Sequence, residues 1–266
     1  MLRDITLGQY YPVDSVIHRL DPRTKLLGTL LFIISLFCMD SAWGYGLAAL
    51  FLAMTIRLSK VPLKFMVRGL KAVLVLLLIS VSFNLFLTPG RGIFRLGFLK
   101  ITWEGLRTAV FMAVRLIFLV LGSSVMTLTT TPNELTDGLE KGLGFLKKVG
   151  VPVHEVAMMM SIALRFIPIL IEEADKIMKA QMARGADFES GNIVQRAKSM
   201  VPLLVPLFIS AFRRATDLAM AMEARCYRGG EGRTKMKPLR YHRRDRLAQL
   251  LLVLYLAAVI VLRVMV

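Results

Sequence analysis

The sequence predicts an all-α integral membrane protein with about five transmembrane helices and a cytoplasmic domain of one short and two long crossing helices. Three observations carry this. Apolar residues make up 56% of the 266-residue chain, and mean hydropathy is +0.61; soluble domains average roughly 45–50% apolar. The apolar residues fall in long runs rather than alternating with polar ones. The 35 Lys and Arg outnumber 18 Asp and Glu, leaving a net charge of +17, as expected of basic loops held on the cytoplasmic face of a membrane. A nucleic-acid binder would need that charge on a soluble scaffold, and no nucleic-acid partner is expected. Disorder is excluded, because such runs would not remain in water. Two cysteines supply neither a disulfide framework nor a Cys-based zinc cluster.

Residues 1–25 read as a polar lead-in, with charges, two prolines and no apolar core of the kind a secretory signal needs. Residues 26–128 hold four apolar runs. Leu26 to Met39 and Ala42 to Ile56 make a tight hairpin around Asp40 and Ser41. Both are shorter than the roughly 20 residues of a full span, so Lys25 and Arg57 are expected to snorkel and extend them. Leu70 to Leu87 and Leu106 to Leu128 follow, and residues 247–266 supply the last span, Leu247 to Leu262. The lead-in and the 57–71 connector carry nine Lys and Arg, against three in the 40–41 turn and 88–104 loop. That asymmetry places the N-terminus in the cytoplasm, with the 20 Lys and Arg of residues 132–247 on the same side. Arg115 lies inside the fourth run, where an ionisable residue is a functional candidate. Its plainer role is snorkelling or a hydrogen bond to a neighbouring helix carbonyl.

Residues 129–225 behave like neither membrane nor cytosol. Thr130-Thr131-Pro132-Asn133-Glu134 starts a short helix, Glu134 to Lys148, whose last turn is basic before Gly150 and Pro152. Two helices of some 30 residues each follow, roughly 45 Å long. The first begins near His154, is apolar through Ile171 apart from Arg165 and Pro168, then turns amphipathic. The second has an apolar head, Met200 to Phe212, and an amphipathic tail to Glu223. A shift of 41 residues lays Ala183-Arg184 over Ala224-Arg225, and Glu172-Glu173 over Arg213-Arg214. The charges are complementary, so they either pair where the rods cross or are two solvated faces. Half of the 16 methionines lie on these rods, suited to a surface that repacks against a partner, or to ordinary gap-filling. Each rod ends in an Arg beside a small Ala, the first followed by Gly185, a natural helix terminator. A guanidinium at such a tip can grip a carboxylate in a partner groove. Two equivalent tips suggest two equivalent receptors.

With these features in place the chain resembles the transmembrane (T) component of energy-coupling factor (ECF) vitamin and metal transporters. Ser15-Val16-Ile17-His18-Arg19-Leu20-Asp21-Pro22-Arg23-Thr24-Lys25-Leu26 is similar to that family's N-terminal signature. Ala183-Arg184-Gly185 matches the Ala-Arg-Gly motif of its coupling helices, and Ala224-Arg225-Cys226 departs from it only by Cys at the Gly position. The resemblance implies a non-catalytic scaffold in the bacterial cell membrane, with 129–225 as its coupling domain. Two ABC-type ATPase subunits would hold the tips, Ala183, Arg184 and Gly185 on one and Glu223, Ala224 and Arg225 on the other. A small membrane substrate-binding (S) subunit would dock on the apolar rod faces, at Met158, Met159, Ile162 and Phe166 of the first and Leu204 and Phe208 of the second.

The residues agree that catalysis lies elsewhere. No Gly-x4-Gly-Lys-Ser/Thr phosphate loop occurs, and His154-Glu155 has Met158 where a second zinc ligand would stand. No catalytic residue, cofactor or metal is expected. His18 and His242 read as surface residues, Cys38 as packing and Cys226 as a free thiol. The basic linker 226–246 is expected to lie on anionic membrane lipid. A self-sufficient secondary transporter or channel is the alternative; it would favour paired ionisable residues within the spans, where Arg115 stands deep without an evident partner.

Overall fold

The computed structural model describes residues 9–39, 41–88, 92–96, 99–186, 188, 192–230, 236 and 238–265. Arg3, Asp40 and most of the basic linker between 231 and 237 lie outside them. The chain divides into two compact units, Gly8–Lys141 with Leu239–Val266, and Gly142–Pro238.

The first unit contains α1 (Pro22–Phe37), α2 (Ala42–Ser59), α3 (Leu63–Leu87), α4 (Trp103–Thr129), α5 (Pro132–Gly142) and α8 (Arg243–Met265). Each start is written locally. Asp21, Ser41 and Thr102 cap α1, α2 and α4 by accepting the backbone N–H two or three residues on. Thr131 and Glu134 exchange reciprocal 3.3 Å bonds with each other's backbone N–H ahead of α5, a capping box. Phe32, Leu36, Met39, Tyr45, Ala48 and Leu52 of the first hairpin bury against Tyr255 and Val259 of α8. Phe51 stacks on Tyr255 at 4.4 Å between centroids, and the Tyr255 hydroxyl meets Ser35 Oγ at 2.8 Å. A second cluster joins Val61 and Met66 to Val125 and Leu128 of α4. Small residues let the helices close: a Cβ on Gly122 would stand 2.7 Å from the Phe32 ring.

Among the described residues, α2, α4, α6 (Val153–Ala183) and α8 are long and apolar enough to cross a membrane. Counting α3, which bends by 60° between Lys71 and Val73, makes five. The mainly helical, multi-pass reading therefore stands, with four differences in detail. Helix α1 has only 16 residues. Helix α6, expected as a coupling rod and not among the five spans, runs unbroken through Arg165 and Pro168 as one 31-residue helix long and apolar enough to cross. The expected helix Glu134 to Lys148 breaks at Leu143 between two glycines, and a 3₁₀ turn, Gly144–Val149, continues it. The 88–104 loop also holds a short antiparallel hairpin, β1 (Gly92–Leu96) with β2 (Leu99–Thr102). Only its second strand, Leu-Lys-Ile-Thr, alternates apolar and polar residues.

The second unit is built on α6 and α7 (Ile193–Ala224). Three contacts give their relative direction. Gln181 Nε2 donates to Pro202 O at 3.4 Å, a carbonyl whose helical donor is removed by Pro206. Arg214 Nη2 donates to Glu173 Oε2 at 2.9 Å. Beyond α7, Gly230 lies against His154, whose Cδ2 would stand 2.4 Å from an added Cβ. As numbers fall along α6 they rise along α7, so the rods are antiparallel.

Candidate functional site

The Glu173–Arg214 pair connects positions that are 41 residues apart, the period of the internal repeat. Equivalent residues that touch each other lie on a two-fold relation between their elements. The pair therefore marks the pseudo-axis of the rods. Arg184 lies eleven residues beyond Glu173, and Arg225 eleven beyond Arg214, about 16 Å along each helix. The antiparallel order sends the two arginines to opposite ends of the unit. Of the two acidic–basic matches expected from the repeat, the described contacts include Glu173 with Arg214; Glu172 and Arg213 are exposed.

Both tips end in the same backbone motif. At the first, Gly185 N–H donates to Met182 O at 2.9 Å and Ala186 N–H to Gln181 O at 3.0 Å. At the second, Cys226 N–H donates to Glu223 O at 2.8 Å and Tyr227 N–H to Met222 O at 3.1 Å. This crossed pair of bonds satisfies the last carbonyls of a helix and needs a left-handed residue just past it. Gly185 has φ +88° and Cys226 φ +55°. Cysteine thus takes the conformation glycine takes at the other tip, and the tip geometry is kept. Ala183, Arg184, Gly185, Glu223, Ala224 and Arg225 are all exposed.

The expected apolar docking residues fall into two groups. Met158, Ile162 and Phe166 are half-buried while Met159 is exposed, all near the start of α6; Leu204 and Phe208 are exposed on α7. The antiparallel order puts these groups toward opposite ends of the rods. Leu204 and Phe208 belong to a longer exposed stripe, Val201, Leu204, Val205, Phe208, Ile209 and Phe212, whose spacing of three and four traces one helix face.

In the first unit the structure corrects several expectations. His18 is not a surface residue: its Nε2 lies 3.0 Å from Tyr11 O and its Nδ1 2.7 Å from Ser15 Oγ. A carbonyl can only accept, so Nε2 carries the proton. Lys25 does not snorkel. Its buried Nζ donates to His18 O at 3.0 Å and to Thr129 O, at the C-terminal end of α4, at 2.8 Å. Asp21 accepts from the Arg23 backbone and holds the Arg23 guanidinium at two 3.0 Å bonds. Its own N–H donates to the fully buried Asp245 at 2.7 Å, which also accepts the His242 N–H at 2.8 Å. Residues Ser15 to Lys25 are thus a latch tying the starts of α1 and α8 to the end of α4. Burial alone would raise the Asp21 pKa, but the hydrogen bonds from the Arg23 side chain and backbone, with the Arg23 charge, hold it below the usual carboxylate range. Arg115 takes the plainer of its two roles: Nε donates to Tyr45 Oη and Nη2 to Met39 O, both at 3.0 Å. It braces the tip of the α1–α2 hairpin.

These features define the class as a multi-pass helical membrane protein with a paired-rod unit. The family described as cobalt transport protein matches residues 14–236. The chain is 60% identical over 239 residues to the energy-coupling factor transporter transmembrane protein EcfT of Thermosediminibacter oceani, covering 90% of each chain. To the protein of the same name in Clostridium kluyveri it is 57% identical over 252 residues, 94% of this chain and 93% of that one. To that of Bacillus subtilis it is 49% identical over 246 residues, 92% and 93%. The chain belongs to this family, the transmembrane components of ECF transporters.

Proposed function

We propose that this chain is the non-catalytic coupling scaffold of an ECF importer, carrying motion from two partner ABC-type ATPases to a separate membrane subunit that binds the vitamin or metal. Arg184 and Arg225 each enter a groove of one ATPase, flanked by Ala183 and Gly185 on one side and by Glu223 and Ala224 on the other. When ATP draws the ATPases together, the tips approach and the rods tilt about the Glu173–Arg214 pair. The apolar faces at Met158, Met159, Ile162, Phe166, Leu204 and Phe208 pass that tilt to the substrate-binding subunit. The coupling rods and the N-terminus face the cytoplasm, as the distribution of Lys and Arg favours. ATP hydrolysis belongs to the partners, and the solute is chosen by the substrate-binding subunit.

The observation that carries this reading is the equivalence of the tips: the same helix ending, with an exposed arginine, eleven residues on either side of a pseudo-axis. Two copies of one socket, held by two like subunits, are what such a pair fits. Arg184→Glu and Arg225→Glu should each weaken ATPase retention during purification of the complex and lower ATP-dependent uptake. The double variant should lose both more completely. Full uptake by the double variant would refute the assignment. The alternative of a self-sufficient transporter draws no support from Arg115, whose guanidinium is engaged by Tyr45 and Met39.

A further inference from the structure

We propose that the transmembrane unit holds one anionic glycerophospholipid, its acyl chain in a groove along α8 and its phosphate on Arg243 and Arg244. The inference rests on the chain's membrane location and not on the coupling reading.

The groove has a volume of about 600 Å³ and is lined almost entirely by apolar side chains of α1, α2, α4 and α8. Gly28 and Phe32 line it from α1, and α8 lines it from Arg244 to Ala258. That stretch rises about 21 Å, enough for the acyl chain of one leaflet in a hydrocarbon core about 30 Å thick. Arg244 also lines a second pocket of about 510 Å³, together with Arg19, His242 and Arg243. Arg19 is held by Asp14. Among the described residues no carboxylate pairs with Arg243 or Arg244, because the neighbouring Asp245 turns inward and gives its oxygens to the backbone N–H groups of Asp21 and His242. Two guanidiniums therefore stand at the mouth of an apolar groove. The ligand that matches has a phosphate at one end and a hydrocarbon tail at the other. A zwitterionic lipid would bring its ammonium into the same basic cluster, and a soluble phosphate would leave the groove empty.

The test is native mass spectrometry of the complete transporter equilibrated in detergent with equal amounts of phosphatidylglycerol and phosphatidylcholine. Wild type should retain phosphatidylglycerol about tenfold in excess, the order expected for charge-assisted bonds to two guanidiniums. The double variant Arg243→Gln/Arg244→Gln should lose that preference. Gly28→Leu should lose retention of both lipids: a Cβ at Gly28 meets nothing within 4 Å, so the new side chain fills the groove without disturbing the fold. If the arginine variant fails to assemble, Gly28→Leu carries the test alone. Excess glycerol 3-phosphate should displace nothing. Equal retention of the two lipids by wild type, undiminished phosphatidylglycerol in Gly28→Leu, or displacement by glycerol 3-phosphate would each overturn the proposal.

Discussion

Cys226 occupies a backbone conformation that costs an L-residue free energy, and the equivalent tip shows what relieves it. At φ +55° a side chain with a Cβ gives up about 1–2 kcal/mol relative to the right-handed region. Glycine avoids that cost but loses about 0.4–1 kcal/mol through greater freedom in the unfolded chain. Cys226→Gly should therefore stabilise the α7 tip by about 0.5–1 kcal/mol, making local opening roughly two- to fivefold rarer. The reverse change at the other tip, Gly185→Ala at φ +88° with open space around it, should destabilise that ending by a similar amount, through the backbone alone. Hydrogen exchange in the intact complex reads both directly. The reporters are the 226 and 227 amides, bonded to Glu223 O and Met222 O, and the 185 and 186 amides, bonded to Met182 O and Gln181 O. Cys226→Ala is the control; it removes the thiol but keeps the Cβ, so it should gain nothing. If Cys226→Gly leaves exchange unchanged or faster, or if Cys226→Ala slows it equally, the strain argument fails.

Three more outcomes follow from the contacts. Lys25→Met keeps the aliphatic stem but strands the His18 and Thr129 carbonyls, so it should cost about 2 kcal/mol and lower the thermal midpoint by several degrees; a higher midpoint would mean that desolvation of the ammonium outweighs its bonds. Because the Asp21 carboxyl titrates below its unfolded value, its stabilisation is complete above about pH 4 and is lost as pH falls through the lower folded value. Acid unfolding of Asp21→Asn should accordingly be shallower than that of wild type below about pH 4, and identical curves would remove Asp21 from the latch. A double-mutant cycle on Glu173 and Arg214, whose side chains are partly exposed, should give a coupling of about 0.5–1 kcal/mol, with uptake recovered by the charge-swapped pair; zero coupling would deny the pair its place at the pseudo-axis.

The helices were legible because their information is local. Apolar runs, Asp21 before Pro22, the Thr131–Glu134 box and Ala-Arg-Gly at a helix end all act within a turn or two of themselves. The 41-residue shift even anticipated which glutamate meets which arginine, since two copies of one pattern facing each other bring equivalent positions together. The hairpin at 92–102 leaves little signal in the sequence, because its strands have only five and four residues and only the second alternates.

What the sequence could not contain was the destination of a charge. Lys25 at the edge of an apolar run looks the same whether it snorkels or is buried; the choice was made by the Thr129 carbonyl, 104 residues away. Asp245 likewise owes its burial to the Asp21 backbone N–H at the start of α1, 224 residues away in sequence. The sequence by itself determined the helices, the two long rods and their arginine tips, because hydropathy and capping are short-range. Only the tertiary structure decided the antiparallel order of the rods and the latch, because a desolvated polar group must find a partner and the fold alone fixes which ones lie within reach.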